Sequence, residues 1–149
     1  MRLSPDAHEE LERFFREYRG DGGLRLPPIS VHGGFAGGLL TRLAGGVSAI
    51  TFGRHVFVSP QVLARRAGGG RRMPGWLLAH EAAHVLQYAE RGWIRFFRDY
   101  LGGYFAALRS GGLGLGRAAR TAAYLAIREE CEARAAEEAF GARRRGRGA

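Results

Sequence analysis

The chain has 149 residues, of which 46% are hydrophobic, and a formal net charge of +9. This length is typical of one domain with a single core, and the composition excludes a disordered chain. Cys131 is the only cysteine, which excludes an internal disulfide bond.

The N-terminal segment predicts a helix and no targeting sequence. Ser4 followed by Pro5 is a helix-start signal. An apolar stripe then recurs at helical spacing, and GDGG at 20–23 ends it (Leu11, Phe14, Phe15, Tyr18). The first dozen residues are charged and lack an apolar signal region. No run of about 18 apolar residues follows, so we expect a cytoplasmic protein without a spanning helix.

The middle of the chain contains the β structure. Residues 24–46 are rich in glycine and proline and predict a loop, with a short helix around Leu39 to Leu43. VSAITFGRHVFVS, residues 47–59, has two β-prone runs around Gly53 and Arg54. This pattern predicts either a hairpin or one long bent strand. ARRAGGGRR, residues 64–72, predicts a flexible basic loop.

Three helices are predicted in the C-terminal half. The first begins at Pro74 and runs to Arg91, where Gly92 stops it. The second has Arg95, Arg98 and Asp99 opposite an aromatic face (Trp93, Phe96, Phe97, Tyr100, Leu101, Tyr104, Leu108). After a loop at 110–116, the last helix covers 117–140. We therefore expect an α+β fold, mostly helical with a small antiparallel sheet or hairpin. It forms one domain over 1–140, followed by a disordered basic tail at 141–149.

The predicted central helix contains His80-Glu81-Ala82-Ala83-His84, an H-E-x-x-H pattern. Positions i and i+4 lie on one face of a helix, so both imidazoles can reach one ion. Zinc binds such nitrogens at about 2.0–2.1 Å. Glu81 would face the attacking water and act as general base. The surrounding segment is apolar, and two buried imidazoles without partners would be costly. The pattern therefore predicts a zinc site.

A third ligand must be a carboxylate, because no histidine follows His84. Asp99 falls on the polar face of its helix, which leaves the acidic run REECEAR at 128–134. Glu130 has small or apolar helical neighbours and is predicted to point inward as the ligand, with Glu129 or Glu132 as the competitor. The alternative is an exposed acidic run that pairs with Arg128 and Arg134.

Three segments resemble a known family: AITFGRHVFVS (49–59), LLAHEAAHVLQY (77–88) and AYLAIREECEAR (123–134). They are similar to small bacterial gluzincin-like domains related to the core domain of extracellular contractile injection systems. The resemblance covers roughly 26–136 and rests on H-E-x-x-H-x-x-Q and a downstream E-x-E-A. It implies a zincin-like metallopeptidase fold with Glu130 as metal ligand. Many gluzincins have Asp or Asn where this chain has Arg134, and arginine cannot accept a hydrogen bond from a ligand histidine.

The function predicted from these residues is hydrolysis of a peptide or protein substrate. The strand at 47–59 could pair with an extended substrate. Candidates to stabilise the oxyanion are His55, Tyr88 and Tyr124. Gln87 and Glu132 could support the ligands. The alternative is an inactive, zinc-stabilised domain that binds a protein partner.

Other partners are less expected. All 23 basic residues are arginine, so part of the charge reflects composition. Solvated basic segments are preferred over nucleic-acid binding, because no recognised binding module is present. The aromatic helix could lie on a membrane surface, but a core-facing stripe is preferred. Cys131 is expected to be a small buried residue.

Overall fold

A computed structural model describes residues 2–43, 47–65, 71–110 and 116–146 of the chain. Within these ranges the structure is mostly helical, with a small mixed sheet, and belongs to the α+β class. The helices are α1 (Pro5–Arg19), α2 (Gly34–Leu43), α3 (Gly75–Arg91), α4 (Trp93–Ser110), α5 (Arg117–Leu125) and α6 (Arg128–Gly146). The strands are β1 (Ser30–His32), β2 (Ala49–Phe52), β3 (His55–Val58), β4 (Ala64–Arg65) and β5 (Arg71–Arg72).

The predicted hairpin is formed by β2 and β3. The two strands are antiparallel, with Ile50 opposite Phe57, and Gly53 in the turn has a φ of 57°, which favours glycine. This result selects the hairpin over one long bent strand.

The sheet is mixed, so the expectation of a purely antiparallel sheet was wrong. β1 pairs in parallel with β3, with Val31 opposite Val56, which gives the strand order β1-β3-β2. β1 lies in a segment predicted to be a loop, since three residues are too few for a visible alternation. β2 is an edge strand of this sheet, on the side away from β1.

The core lies between α1, the sheet, α3 and α6. Helix α3 is buried along most of its length, and α6 packs along it. Phe14 of α1 contacts Phe140 of α6 edge to face, with ring centroids 5.0 Å apart. Ser4 caps α1 by accepting a hydrogen bond from the Ala7 backbone N–H at 3.4 Å. Because α3 is central, three of its polar residues, Glu81, His84 and Gln87, are buried.

The last predicted helix starts at residue 117 as expected, but it is interrupted and ends later than predicted. Helix α5 ends at Leu125, and α6 starts at Arg128 after a bend that buries Ile127. Helix α6 continues to Gly146, six residues beyond the predicted end at 140. Its final turn is tied to α1 by an ion pair of 2.7 Å between Arg143 and Glu17. Residues 147–149 of the predicted tail lie outside the described residues.

Two further segments depart from their predictions. Helix α2 begins at Gly34, so it is longer than the predicted short helix around Leu39. The predicted basic loop at 64–72 contains the paired strands β4 and β5, and its residues 66–70 lie outside the described residues, as do residues 111–115. None of the described helices combines the length and apolar character needed to cross a bilayer.

Gly37 is where α2 packs directly on the sheet. A Cβ atom there would lie 2.3 Å from the carbonyl oxygen of Val58 and 2.6 Å from that of His32. Alanine usually stabilises a helix relative to glycine, but here backbone would have to move. We expect Gly37→Ala to lower the free energy of unfolding by about 1–3 kcal/mol in urea denaturation.

The neighbouring Gly38→Ala is the matched control. Its Cβ would meet only the Pro60 side chain at 3.4 Å, an ordinary contact. The control should be neutral or slightly stabilising. Equal destabilisation by both substitutions would contradict this packing of α2.

Candidate metal centre

Helices α3 and α6 bring three ligand-type side chains together. His80 and His84 lie one turn apart on α3, and Glu130 lies in the first turn of α6. The His80 Nε2 atom is 3.5 Å from Glu130 Oε2, and the His84 Nε2 atom is 3.5 Å from Glu130 Oε1. One ligand atom from each residue falls within 4.8 Å of the other two, so this cluster could hold a metal ion.

The spacing of these atoms fits ligands of one ion better than hydrogen-bonded partners. A charge-assisted N–H···O bond is about 2.7–2.9 Å long. Two ligands about 2.0–2.1 Å from a tetrahedral ion lie about 3.3–3.4 Å apart. In addition, Glu130 Oε2 is buried and is the one such side-chain oxygen or nitrogen in the described residues without a hydrogen-bond partner. A cation between the three side chains would satisfy it.

Both imidazoles are oriented with Nε2 toward the cluster. The other ring nitrogen of His80, Nδ1, lies 3.1 Å from Glu137 Oε2, and His84 Nδ1 lies 2.8 Å from Gln87 Oε1. Gln87 Nε2 donates to the Glu129 carbonyl oxygen at 3.1 Å and to Glu132 Oε2 at 3.0 Å, which fixes its amide orientation. Each Nδ1–H therefore donates outward, and each Nε2 lone pair is left for a metal ion.

The other two acidic residues of the run face away from the cluster. Glu129 is buried and accepts a hydrogen bond from Arg91 at 2.5 Å. Glu132 accepts from Gln87 and from Arg128, the latter at 2.8 Å. The structure therefore brings Glu130, and neither competitor, to the two histidines, while Glu132 makes the predicted pairing with Arg128.

Two tyrosines also contact the Glu130 carboxylate. The Tyr100 hydroxyl of α4 donates to Glu130 Oε1 at 3.0 Å, and the Tyr124 hydroxyl of α5 also hydrogen-bonds this carboxylate. Burial acts to raise the pKa of Glu130, but the facing imidazoles of His80 and His84 and the hydrogen bond from Tyr124 outweigh it and hold the pKa well below its usual value. Burial raises the pKa of both tyrosines, so they remain neutral donors.

The negative charge of Glu130 also changes the pKa of His84. Burial alone would lower the pKa of His84, but the hydrogen bond and charge of Glu130 raise it above its ordinary value. The lowered pKa of Glu130 and the raised pKa of His84 thus share one cause, the attraction between this carboxylate and the imidazole that faces it.

Glu81 is buried beside the three ligands. Its Oε2 atom accepts a hydrogen bond of 2.6 Å from the Thr51 hydroxyl of β2. Burial is the main reason that the pKa of Glu81 is raised, with Glu130 adding to it. The Tyr88 hydroxyl donates to the Thr51 carbonyl oxygen at 3.2 Å, which ties α3 to the same strand. The hairpin thus orients the carboxylate next to the candidate metal site.

A cleft of about 860 Å³ opens onto the cluster. Its walls come from β2, α3, α4, α5 and α6, and among the described residues Glu81 and Glu130 are the only acidic ones that line it. The other lining side chains are mostly aromatic or aliphatic (Val47, Ile50, Phe52, Tyr88, Phe96, Phe97, Tyr100, Tyr104, Tyr124). The lining of the cleft therefore suits a ligand with uncharged side chains.

Some predicted residues lie elsewhere. His55 does not line the cleft; its Nδ1 is 3.0 Å from His32 Nε2 on the sheet. Cys131 is exposed, so the prediction that it is buried was wrong. Asp99 pairs with Arg98 at 2.7 Å and is not part of the cluster.

Four contacts were missed from sequence. Arg134 stands where a hydrogen-bond acceptor was expected, and it contacts the Leu125 carbonyl oxygen instead. Glu137, three residues further along α6, takes the acceptor role toward His80. From the sequence, Thr51 was assigned only to a strand, and Tyr100 only to the aromatic face of a helix. The only available signal for Glu137 was its position seven residues after Glu130, which places both on one face of a helix.

Comparison with known proteins identifies the family of this chain. Searches of curated proteins and of solved structures found no match. The family model described as the eCIS core domain matches residues 3–92, a range that includes His80, Glu81 and His84 and ends before α4. Because this match covers more than half of the chain, the protein belongs to the eCIS core domain family, related to the extracellular contractile injection system.

Proposed function

We propose that this chain is a zinc-dependent peptide hydrolase of the gluzincin type with a zincin-like fold. His80, His84 and Glu130 hold the zinc ion, and Glu81 is the general base. The observation that carries this proposal is the buried carboxylate of Glu130, whose Oε2 atom has no hydrogen-bond partner and whose two oxygens lie 3.5 Å from the Nε2 atoms of His80 and His84.

The donor set supports zinc over other ions. Two neutral imidazoles and one carboxylate are a known set of protein ligands for catalytic zinc, whereas calcium and magnesium prefer oxygen ligands. Three protein ligands would leave one coordination position for water or substrate, and the cleft is lined by all three of these residues. When bound, zinc supplies a Lewis acid that polarises a carbonyl group and lowers the pKa of water toward about 7.

Glu81 moves the proton in the proposed reaction. Its carboxylate accepts a proton from the attacking water and returns it to the nitrogen of the leaving amine. The Thr51 hydroxyl holds one oxygen of the Glu81 carboxylate in place. The Glu81 side chain therefore loses less conformational freedom when the transition state forms. A nearby cation would also oppose the effect of burial on the Glu81 pKa and favour the ionised, basic form.

The cleft suits an extended peptide. β2 is an edge strand that lines the cleft, so its free backbone groups can pair with a substrate strand. The predicted oxyanion donors Tyr88 and Tyr124 both line the cleft, as does Tyr100. Each hydroxyl already donates a hydrogen bond, Tyr88 to the Thr51 carbonyl oxygen and the other two to Glu130, so a donor to the oxyanion would have to turn from its present acceptor.

A second candidate function is a zinc-stabilised domain that binds a protein and catalyses nothing. The family description supports it, because a core domain of an injection system points to a multi-protein assembly with protein partners. The matched range also ends before Glu130, so that description does not depend on the complete cluster.

Metal content tests the ligand assignment. The full chain should bind one zinc ion, measured by atomic emission after dialysis, and Glu130→Ala should lose it because a charged ligand is removed. Glu132→Ala is the matched control two residues away and should keep the ion. Loss of zinc from the Glu132 variant alone would show that the third ligand is misassigned.

Glu137 should tune zinc affinity without contacting the ion. Glu137→Ala removes the acceptor for His80 Nδ1–H, and such losses typically weaken metal binding by about 10–100-fold. The affinity is measured by competition with a chromogenic chelator. Glu138→Ala, an exposed neighbour on the same helix, should bind zinc like the unmodified chain. Equal affinities of the two variants would exclude the proposed support of His80.

Glu81→Gln separates the two candidate functions. Glutamine keeps the shape but cannot accept the proton, so zinc content should be retained and cleavage reduced by about 10²–10⁴-fold. Cleavage is measured on a mixed peptide library with products identified by mass spectrometry. Undiminished cleavage by the variant would refute the mechanism. Zinc binding without cleavage by the unmodified chain would favour the non-catalytic domain.

A further inference from the structure

Helix α4 is apolar on two faces. Its inner face packs on the protein through Phe96 and Leu108. Ile94, Leu101 and Phe105, spaced by seven and four residues, form a second row that points outward. These three side chains are 73%, 48% and 58% exposed. A helix with apolar side chains all round is usually covered on all sides, so the outer row is a candidate binding surface.

The outer row is flanked by exposed arginines. Arg95, Arg98 and Arg109, spaced by three and eleven residues, lie side by side along the helix. Asp99 is the only acidic residue of α4, and Arg98 pairs with it at 2.7 Å. The exposed positions between Trp93 and Arg109 are otherwise apolar, glycine or alanine, with no hydroxyl or amide side chain. We call the outer row together with these three arginines the α4 face.

We propose that the α4 face binds the surface of an anionic membrane. The apolar row would enter the interface between headgroups and acyl chains, while the guanidinium groups contact lipid phosphates. The helix has 18 residues, a length of about 27 Å, and would lie in the plane of the surface. This inference is independent of the metal site.

Charge and shape favour a lipid surface over a protein. A second copy of the chain would bring two sets of arginines together with only Asp99 to oppose them. The face is a single convex helix without hydroxyl or amide groups for directional contacts. A fluid bilayer needs neither a matching groove nor directional hydrogen bonds, and the net charge of +9 attracts the chain to anionic lipid.

Vesicle flotation of the full chain tests the proposal. The chain should bind vesicles of phosphatidylcholine with phosphatidylglycerol, and bind phosphatidylcholine vesicles much more weakly. Ile94→Ser, Leu101→Ser and Phe105→Ser combined should weaken binding by about tenfold or more. Replacement of the three arginines by glutamine should weaken it by about 100-fold, since each arginine near the surface contributes roughly a factor of five.

Helix α2 offers a matched control surface. Phe35 and Leu43 are 86% and 75% exposed, and Arg42 is the only basic residue on that helix. Phe35→Ser with Leu43→Ser should leave vesicle binding unchanged, and thermal melting by circular dichroism checks that every variant is folded. Absence of binding, equal binding to both vesicle types, or equal loss in the α2 variant would overturn the proposal. An α4-dependent dimer in sedimentation velocity without vesicle binding would assign the face to a second copy.

Discussion

The buried negative charge of Glu130 is the constraint around which the site is built. An isolated carboxylate in the interior is costly, and it persists only when nearby groups offset its charge. Here two imidazoles face its oxygens at 3.5 Å, and the Tyr100 hydroxyl donates a hydrogen bond to one of them. One oxygen still has no hydrogen-bond partner. A cation between these groups would interact with that oxygen and balance the charge of the carboxylate.

The packing of α3 against α6 sets this geometry. Small buried residues line the contact and allow the two helices to approach closely (Ala79, Ala82, Ala83, Ala133, Ala136). Gln87 then links the helices by reaching from His84 to the Glu129 carbonyl oxygen and to Glu132. A shift of α6 by one residue would break these contacts and move Glu130 away from the histidines. The contacts that pack α3 against α6 are therefore also the contacts that place Glu130 beside the histidines.

The central part of the site was predictable because it depends on helical periodicity alone. His80 and His84 share a face at any helix position, and the small neighbours of Glu130 indicate that it points inward. Contacts that depend on how elements cross were not predictable. Thr51 reaches Glu81 only because β2 lies beside α3, and Glu137 reaches His80 only at the observed angle of α6. β1 is too short to leave a pattern.

The range matched by the family model contains only part of the candidate metal site. The matched residues 3–92 contain both histidines and Glu81, while α4, α5 and α6 lie beyond them and supply Glu130, Tyr100 and Tyr124. In this chain the C-terminal helices therefore supply the remaining residues of the candidate site. The same helices give the cleft most of its aromatic wall.

X-ray absorption spectroscopy of the zinc-loaded full chain tests the central claim most directly, because it reports the type and distance of the coordinating atoms. Our account predicts nitrogen and oxygen neighbours at about 2.0–2.2 Å, with the outer-shell scattering of two imidazoles and no sulfur. A zinc–sulfur distance of about 2.3 Å would place the ion at Cys131 and contradict it. Coordination by oxygen alone would contradict it equally, since both histidines would then be unbound.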